Sequence, residues 1–552
     1  MTDEYEETDV LIVGGAMVGL SLAVFLAWQG MRPLLVERHP GLLIHPRARG
    51  VNPRTVEIYR QVGLEQELLD ARARGTVGAE QADQMLLAAT LASTEFMLED
   101  LGAEDAGRIS PCAWCPIDQD RLEVVLRARA EKLGADVRFS TELVSFVQDP
   151  EGITAVLLDR NTDTKRTVRA RYLVAADGYR SAVRESLGIP VHGPGLLTET
   201  ISVVFEADLS DVLRGRRVGL AYLNTPAPGT VLFPHDGVRS WCFSTPYGRD
   251  ETLADYPEER CIDLIRAAIG VPDLNVRLLP QIPESDTTVL GFTIGAQTAQ
   301  SFVAGRVLLV GDAAKQVPPT GAFGGNAGIQ EAHNLAWKLV AVLRGQAGPK
   351  LLDTYHAERS AVAQLSLQQA MAHMAGRSGE LGNGPVPPML DYWAVVFGYR
   401  YRSAAVLPDG PDDGEPALKP QLLTGEPGTR APHVMVERNG TALSTLDLFG
   451  RHFVLLAGPD GEGWPAAVGT VGRDLGIELD CYLVGTDVTD VTGSWAGSYG
   501  VNAGGAVLVR PDGFVAWRAT QASDTPAAEL AAALGQLLHR EQALVPESSR
   551  MR

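Results

Sequence analysis

The chain has 552 residues, 45% hydrophobic and 21% charged, with five cysteines and a formal net charge of −20 from 48 basic and 68 acidic side chains. That length calls for roughly two to four domains, and the balanced composition argues against a disordered, collagen-like or disulfide-scaffold protein. The strong negative charge disfavours nucleic acid and anionic membranes as partners, no apolar run reaches the roughly 18 residues of a spanning helix, and the cysteines match no zinc spacing. The acidic start MTDEYEETDV lacks the basic region of a signal peptide. These features lead to the expectation of a cytoplasmic enzyme without metal, nucleic-acid or membrane partners, as a monomer or homodimer.

Residues 9–13 (DVLIV) form a short apolar run suited to a buried parallel strand. Gly14, Gly15, Ala16, Met17, Val18 and Gly19 then lead into a helix ending near Gly30. A second strand over 33–36 (PLLV) closes on Glu37, at about the 20-residue spacing expected of a ribose-binding acid. Helical spacing returns at 54–63 and 119–133. Residues 136–175 hold short alternating runs ending in YLVAADG, and 199–244 alternates strongly enough to predict an antiparallel sheet. The nucleotide-binding pattern resumes at 306–310 (RVLLV), followed by GDAA and helices over about 324–343 and 352–373. Gly/Pro-rich stretches near 382–388 and 407–427 predict a linker before a separate module.

Three clusters carry chemistry. Gly14 permits a sharp exit from the strand, Gly15 follows it, Gly19 lets the helix pack close to the sheet, and the helix start attracts a pyrophosphate, although Ala16 replaces the second glycine of GxGxxG. The second is ADGYRSAVR, with Asp177 after an apolar strand. The third is GDAAKQVPPTGAFGGNAGIQEAHNLAWKL. In it, Asp312 is placed to bond a ribityl or ribose hydroxyl, and Gly324, Gly325 and Asn326 open a helix whose positive end suits an anionic ring. Singly, each has a plainer reading: glycines for packing, Asp177 as a turn residue, a loop before a core helix.

Together, in this order, they resemble the FAD-dependent aromatic hydroxylases of the para-hydroxybenzoate hydroxylase and phenol hydroxylase kind, from residue 9 to about 377. HPRARGVNPRTVE and IDQDRLEVVL fit the same pattern. The likeness is greatest to polyketide-tailoring hydroxylases of the aklavinone hydroxylase kind, which share GDAAK, a GFRYRSSAV-like segment (here GYRYRSAAV) and LVRPDGxVAWR. The resemblance implies an α/β fold. A discontinuous Rossmann-like FAD-binding domain would span 1–180 and 285–400, with an inserted antiparallel-sheet substrate domain over 181–284. A thioredoxin-like domain over 420–552 would lack CxxC, since it holds Cys481 alone.

Carried over residue by residue, the resemblance puts Gly14, Gly15 and Gly19 under the pyrophosphate and Glu37 and Arg38 at the adenosine ribose. Arg47 and Gln119 would hold the ribityl or pyrophosphate side, Asp177 and Asp312 would line the cofactor, and Pro319 with Gly324–Asn326 would flank the isoalloxazine. The implied reaction uses NADPH or NADH as a transient co-substrate, docking near Arg47, and O2. It hydroxylates a phenolic, polycyclic polyketide through a flavin C4a-hydroperoxide. Arg377, at a helix end, is the candidate cation for a substrate phenolate, and Tyr222 a second cavity candidate; an exposed helix-terminal arginine and a core tyrosine are the plainer readings. Alternatives on the same scaffold are a Baeyer–Villiger or oxidative-rearrangement monooxygenase, a flavin dehydrogenase or reductase without oxygen chemistry, and a silent FAD-binding subunit. Cys112 and Cys115 have redox-motif spacing but stand in a loop, which argues against a working disulfide.

Overall fold

The structure, a computed structural model, describes residues 6–42, 48–75, 84–100, 106–216, 218–235, 239–248, 250–282, 285–378 and 386–540. The strand Glu6–Val13 buries Val10, Leu11 and Ile12 completely, as an apolar run with two covered faces must. It pairs in parallel with Leu34–Val36 on one side and Thr164–Ala175 on the other, and Val307–Leu309 lies parallel beyond Thr164–Ala175. Helix Met17–Trp28 is apolar around almost its whole circumference because it is wedged between this sheet and helices Gln119–Lys132 and Phe323–Leu343.

A second, mainly antiparallel sheet holds nine strands among the described residues. It is wider than the segment 181–284. Gln84–Ala88 and Phe96–Asp100 join one edge, and Val289–Ala299 joins on the other side. The reason is geometric: Val191–Glu206 is long, and Val289–Ala299 pairs along it from Val203 back to Val191, so the chain cannot leave the sheet at residue 284. The far end of Val289–Ala299 also pairs with Lys315–Gln316, which ties this sheet to the loop after Val307–Leu309.

The carboxy-terminal region has a three-stranded sheet and a four-stranded sheet in the order Leu479–Leu483, Phe453–Ala457, Ala506–Val509, Val515–Ala519. Its core is not wholly its own. One apolar cluster joins Phe453, Trp464 and Leu534 to Trp337 and Leu351 of the preceding region. The stretch expected as a linker near 407–427 is pinned: Arg402 Nε donates to Asp412 at 2.6 Å, Arg400 Nη1 bonds Asp413 at 2.9 Å, and Arg518 pairs with Asp409.

Beneath it lies a buried polar joint. Glu358, on helix Asp353–Ser378, accepts from Arg510 Nη1 at 2.6 Å, Lys338 Nζ at 2.7 Å, Ser403 Oγ at 2.7 Å and Asn334 Nδ2 at 2.7 Å. Arg510 also reaches Asp512 through Nε at 3.0 Å. Burial alone would raise the Glu358 carboxyl, but Arg510 and Lys338 hold it below the usual range. Nearby, Glu57 accepts from Arg54 Nη1 at 3.0 Å and Arg430 Nε at 2.9 Å. Tyr401 stacks on Phe514 with ring centroids 4.1 Å apart. GYRYRSAAV, LVRPDG and NPRTVE therefore meet here.

His333, buried on helix Phe323–Leu343, packs edge-on to Phe25 at 5.1 Å. Burial, with Arg54 and Arg359 adding, pulls its pKa from 6.5 down to about 3. The unfolded chain then binds a proton that the folded chain excludes, so the destabilisation is absent above pH 6.5 and grows as pH falls towards 3. Denaturant unfolding between about pH 4 and 5.5 should lose about 1.4 kcal/mol per pH unit less in His333→Gln than in the parent. An equal slope would mean that His333 is charged in the folded protein.

Candidate active site

One cavity of about 2740 Å³ opens between the two large sheets, several times the roughly 300–1,000 Å³ of a drug-sized site. At the glycine turn, Gly14 has φ +113°, and a Cβ there would stand 2.2 Å from Ala176 O, so the close strand–strand approach demands glycine. Gly15 lines the cavity and donates its N–H to Glu37 Oε2 at 2.7 Å; Glu37 Oε1 accepts from His39 N at 2.9 Å. Arg38 lines the cavity beside it, exposed. Gly19 is not among the lining residues. A Cβ on it would lie 2.0 Å from Gly14 O, so it seats the helix against the turn.

Gln119 lines the cavity while its amide is held on both sides: Oε1 accepts from Ala48 N at 3.3 Å and Nε2 donates to Glu123 Oε1 at 2.8 Å. Glu123 Oε1 also accepts from Met17 N at 2.9 Å, capping a helix whose own cap side chain is an alanine. The sequence reading missed Glu123. The available signal was its i,i+4 spacing from Gln119, which puts both on one helix face. Arg47 lies outside the described residues.

Asp177 lines the cavity at the end of Thr164–Ala175. Its Oδ2 accepts from Val183 N at 3.2 Å, its Oδ1 is buried with no protein partner, and burial raises its pKa. Asp312 is exposed towards the cavity on a short turn. That turn is braced from behind: Glu331 Oε2 accepts from Gly311 N at 2.8 Å, and its other oxygen pairs with Lys315, both side chains being almost completely buried.

Pro319 lines the cavity and opens a tight turn in which Gly321 has φ +79° and Ala322 φ +55°. The turn thus precedes the expected position. Gly324, Gly325 and Asn326 already form the first turn of helix Phe323–Leu343 and line the cavity. A Cβ on Gly325 would meet Met17 Cε at 2.7 Å. Asn326 braces the protein with its side chain, accepting from Asn52 N at 2.9 Å and donating to Ala322 O at 2.8 Å.

Arg377 and Tyr222 come from different elements and meet in the cavity. Arg377 Nη1 donates to Tyr222 Oη at 3.2 Å, and its guanidinium lies 5.0 Å from the Tyr222 ring centroid. Tyr392, Trp393 and His373 line the same end. Cys112 and Cys115 are buried free thiols, Cys115 with its pKa pushed up to about 11 by burial, which is the environment of inert cysteines.

A dinucleotide cofactor fits this arrangement. The cavity has the volume, the glycine turn and Glu37 share a wall, and the buried Asp177 Oδ1 lacks a partner that a hydroxyl would supply. No described helix is long and apolar enough to cross a membrane.

Comparison with known proteins agrees. Residues 7–370 match the FAD binding domain family, and 424–540 match the aromatic-ring hydroxylase C-terminal family. The chain is 42% identical to a tetracenomycin A2 monooxygenase-dioxygenase of Streptomyces glaucescens, covering 97% of each, and 42% identical to a 4-methyl-5-nitrocatechol 5-monooxygenase of Burkholderia sp, covering 97% and 98%. The solved structure of an aklavinone-11 hydroxylase with FAD and aklavinone superposes with a TM-score of 0.90 at 39% identity, covering 97% of this chain and 100% of that one. With two domain families matched in order and relatives aligned over nearly their full length, the chain belongs to the FAD-dependent aromatic-ring hydroxylases and is a flavoprotein monooxygenase.

Proposed function

We propose that this enzyme hydroxylates a phenolic, polycyclic aromatic polyketide, with FAD, NAD(P)H and O2. The observation that carries the reading is the Arg377–Tyr222 pair, a cation and a phenol held together in the cavity that the helix start at Gly324 and Gly325 also lines. Bound FAD would supply hydride acceptance from NAD(P)H and the activation of O2.

The chain's own residues do the rest. Glu37 accepts from ribose hydroxyls, Arg38 stands beside it, and the Gly14–Gly15 turn lets the phosphates approach the start of helix Met17–Trp28. Asp177 and Asp312 accept from hydroxyls further along, and Gln119 keeps Glu123 on the helix cap. The first turn of Phe323–Leu343 offers its positive end to an anionic ring, with Pro319 flanking it. Arg377 lowers the pKa of a phenol brought against it, so the proton leaves the substrate oxygen and the ring becomes electron-rich. Tyr222 fixes the guanidinium from the sheet side. Aromatic walls and the second sheet exclude water.

The domain reading follows the same lines: 1–180 with 285–400 for the cofactor and 181–284 for substrate, with strands Gln84–Ala88, Phe96–Asp100 and Val289–Ala299 added to the substrate sheet. For 420–552 a thioredoxin-like core is supported by the parallel pair Phe453–Ala457 and Leu479–Leu483 joined through helix Gly463–Leu475, followed by two antiparallel strands and helix Pro526–Leu537. The test is to screen phenolic polycycles for stimulation of NADPH oxidation by the FAD-loaded protein and to weigh the products. A gain of one oxygen on the ring is expected. NADPH oxidation that no phenol accelerates would remove the reading.

A further inference from the structure

Resting on that reading, the cavity holds a polar group that the reaction has not used. His373 stands four residues before Arg377 on helix Asp353–Ser378, so the two side chains share a face about 5–6 Å apart at Cβ. Both line the cavity. The His373 ring tilts against Phe323, the first residue of the long helix, with centroids 5.9 Å apart, and Tyr392 packs on the same Phe323 at 5.7 Å. His373 is thus fixed between the cofactor-facing helix start and the Arg377–Tyr222 pair.

The chemistry of this end is unbalanced without it. Arg377 can only donate hydrogen bonds, and the Tyr222 oxygen already accepts one from it. A phenolic ring edge presents a hydroxyl that must donate as well as oxygens that accept. We propose that His373 is a specificity residue, its imidazole accepting a hydrogen bond from a ring hydroxyl of the substrate while Arg377 donates to a second ring oxygen. Its protonation state suits the task. Burial first, then the Arg377 charge, pulls its pKa from 6.5 down to about 4, so one ring nitrogen keeps its lone pair at neutral pH. The titratable groups around it are Arg377 on its own helix and Tyr392, which shares Phe323 with it, while Tyr222 stands on Arg377 from the sheet. Burial raises the pKa of Tyr392, which stays protonated.

The probes are 2-hydroxyanthraquinone and anthraquinone, which differ by one hydroxyl. Their dissociation constants for the FAD-loaded protein are measured by flavin absorbance at about pH 6, above the His373 pKa of about 4. The parent protein should prefer the hydroxylated probe. His373→Phe should lose about tenfold of that preference, or about 1.4 kcal/mol, and His373→Gln, which keeps an acceptor, should recover most of it. His373→Leu serves as a second apolar variant should the phenylalanine crowd the fold. A preference unchanged in a folded apolar variant overturns the assignment alone. A parent protein that binds neither probe overturns both the assignment and the polycyclic-substrate reading.

Discussion

Arg510→Ala is expected to lower the stability of the protein by about 3–5 kcal/mol, the usual result of breaking a buried ion pair from one side. Arg510 is completely buried, and it holds Glu358 through two nitrogens at 2.6 and 2.9 Å and Asp512 through Nε at 3.0 Å. Its removal leaves two carboxylates facing one another with Lys338, Ser403 and Asn334 as donors to them among the described residues. Arg510→Met with Asp512→Asn removes one charge of each sign and should recover a large part of the loss. Urea midpoints of the three proteins, followed by tryptophan fluorescence and by release of flavin, make the comparison. Equal midpoints for Arg510→Ala and the parent would show that the joint contributes nothing to cohesion. The same geometry changes what truncation near residue 420 does. It removes Arg430, Arg510 and Asp512 together with the partners of Trp337 and Leu351 in the shared apolar cluster. The remaining chain should therefore aggregate, and not simply lose an independent appendage.

How much of this was legible in the sequence depends on whether a residue acts through its neighbours in the chain or across the fold. The glycine turn, its helix and Glu37 are local, and the strand, turn and helix stand where the spacing places them. The helices Gln119–Lys132 and Phe323–Leu343 begin within a residue of their expected starts. The substrate sheet was legible in its middle and not at its edges. Gln84–Ala88 is too short to show a period, and its parallel pairing with Val218–Leu223 spans more than a hundred residues of chain. The packing role of Gly19 was legible in the glycine spacing, and a Cβ there would stand 2.0 Å from Gly14 O. The strings GYRYRSAAV and LVRPDG gave no hint from composition that Tyr399, Tyr401 and Ser403 of the first, and Arg510 and Asp512 of the second, bond side chains of helices Phe323–Leu343 and Asp353–Ser378. That knowledge needs the third dimension. Arg377 and Tyr222 were chosen separately, from a helix end and from an inserted sheet, and their meeting in one cavity is a finding of the structure.

Lys315→Ala should be as damaging as the Arg510 variant, because Lys315 is buried in an ion pair with Glu331. The side chain is 1% exposed and its partner Glu331 is 0% exposed, so alanine would leave a carboxylate in the interior with Gly311 N as a donor to it. The cost of an uncompensated buried charge is about 3–5 kcal/mol. The damage should not stay in the core. Glu331 fixes Gly311 N at 2.8 Å, the same turn presents Asp312 to the cavity, and Ala299 N donates to Ala314 O at 2.7 Å, so the loop, the second sheet and the long helix share one anchor. FAD retention after gel filtration should therefore fall in step with the melting temperature. The double variant Lys315→Met with Glu331→Gln separates charge from shape. Glutamine still accepts from Gly311 N, methionine fills the lysine stem's space, and no charge is left to strand, so stability and flavin should both return towards the parent. If the double variant retains flavin no better than Lys315→Ala, the ion pair itself, and not the neutral shape of the brace, is what holds Asp312 in place.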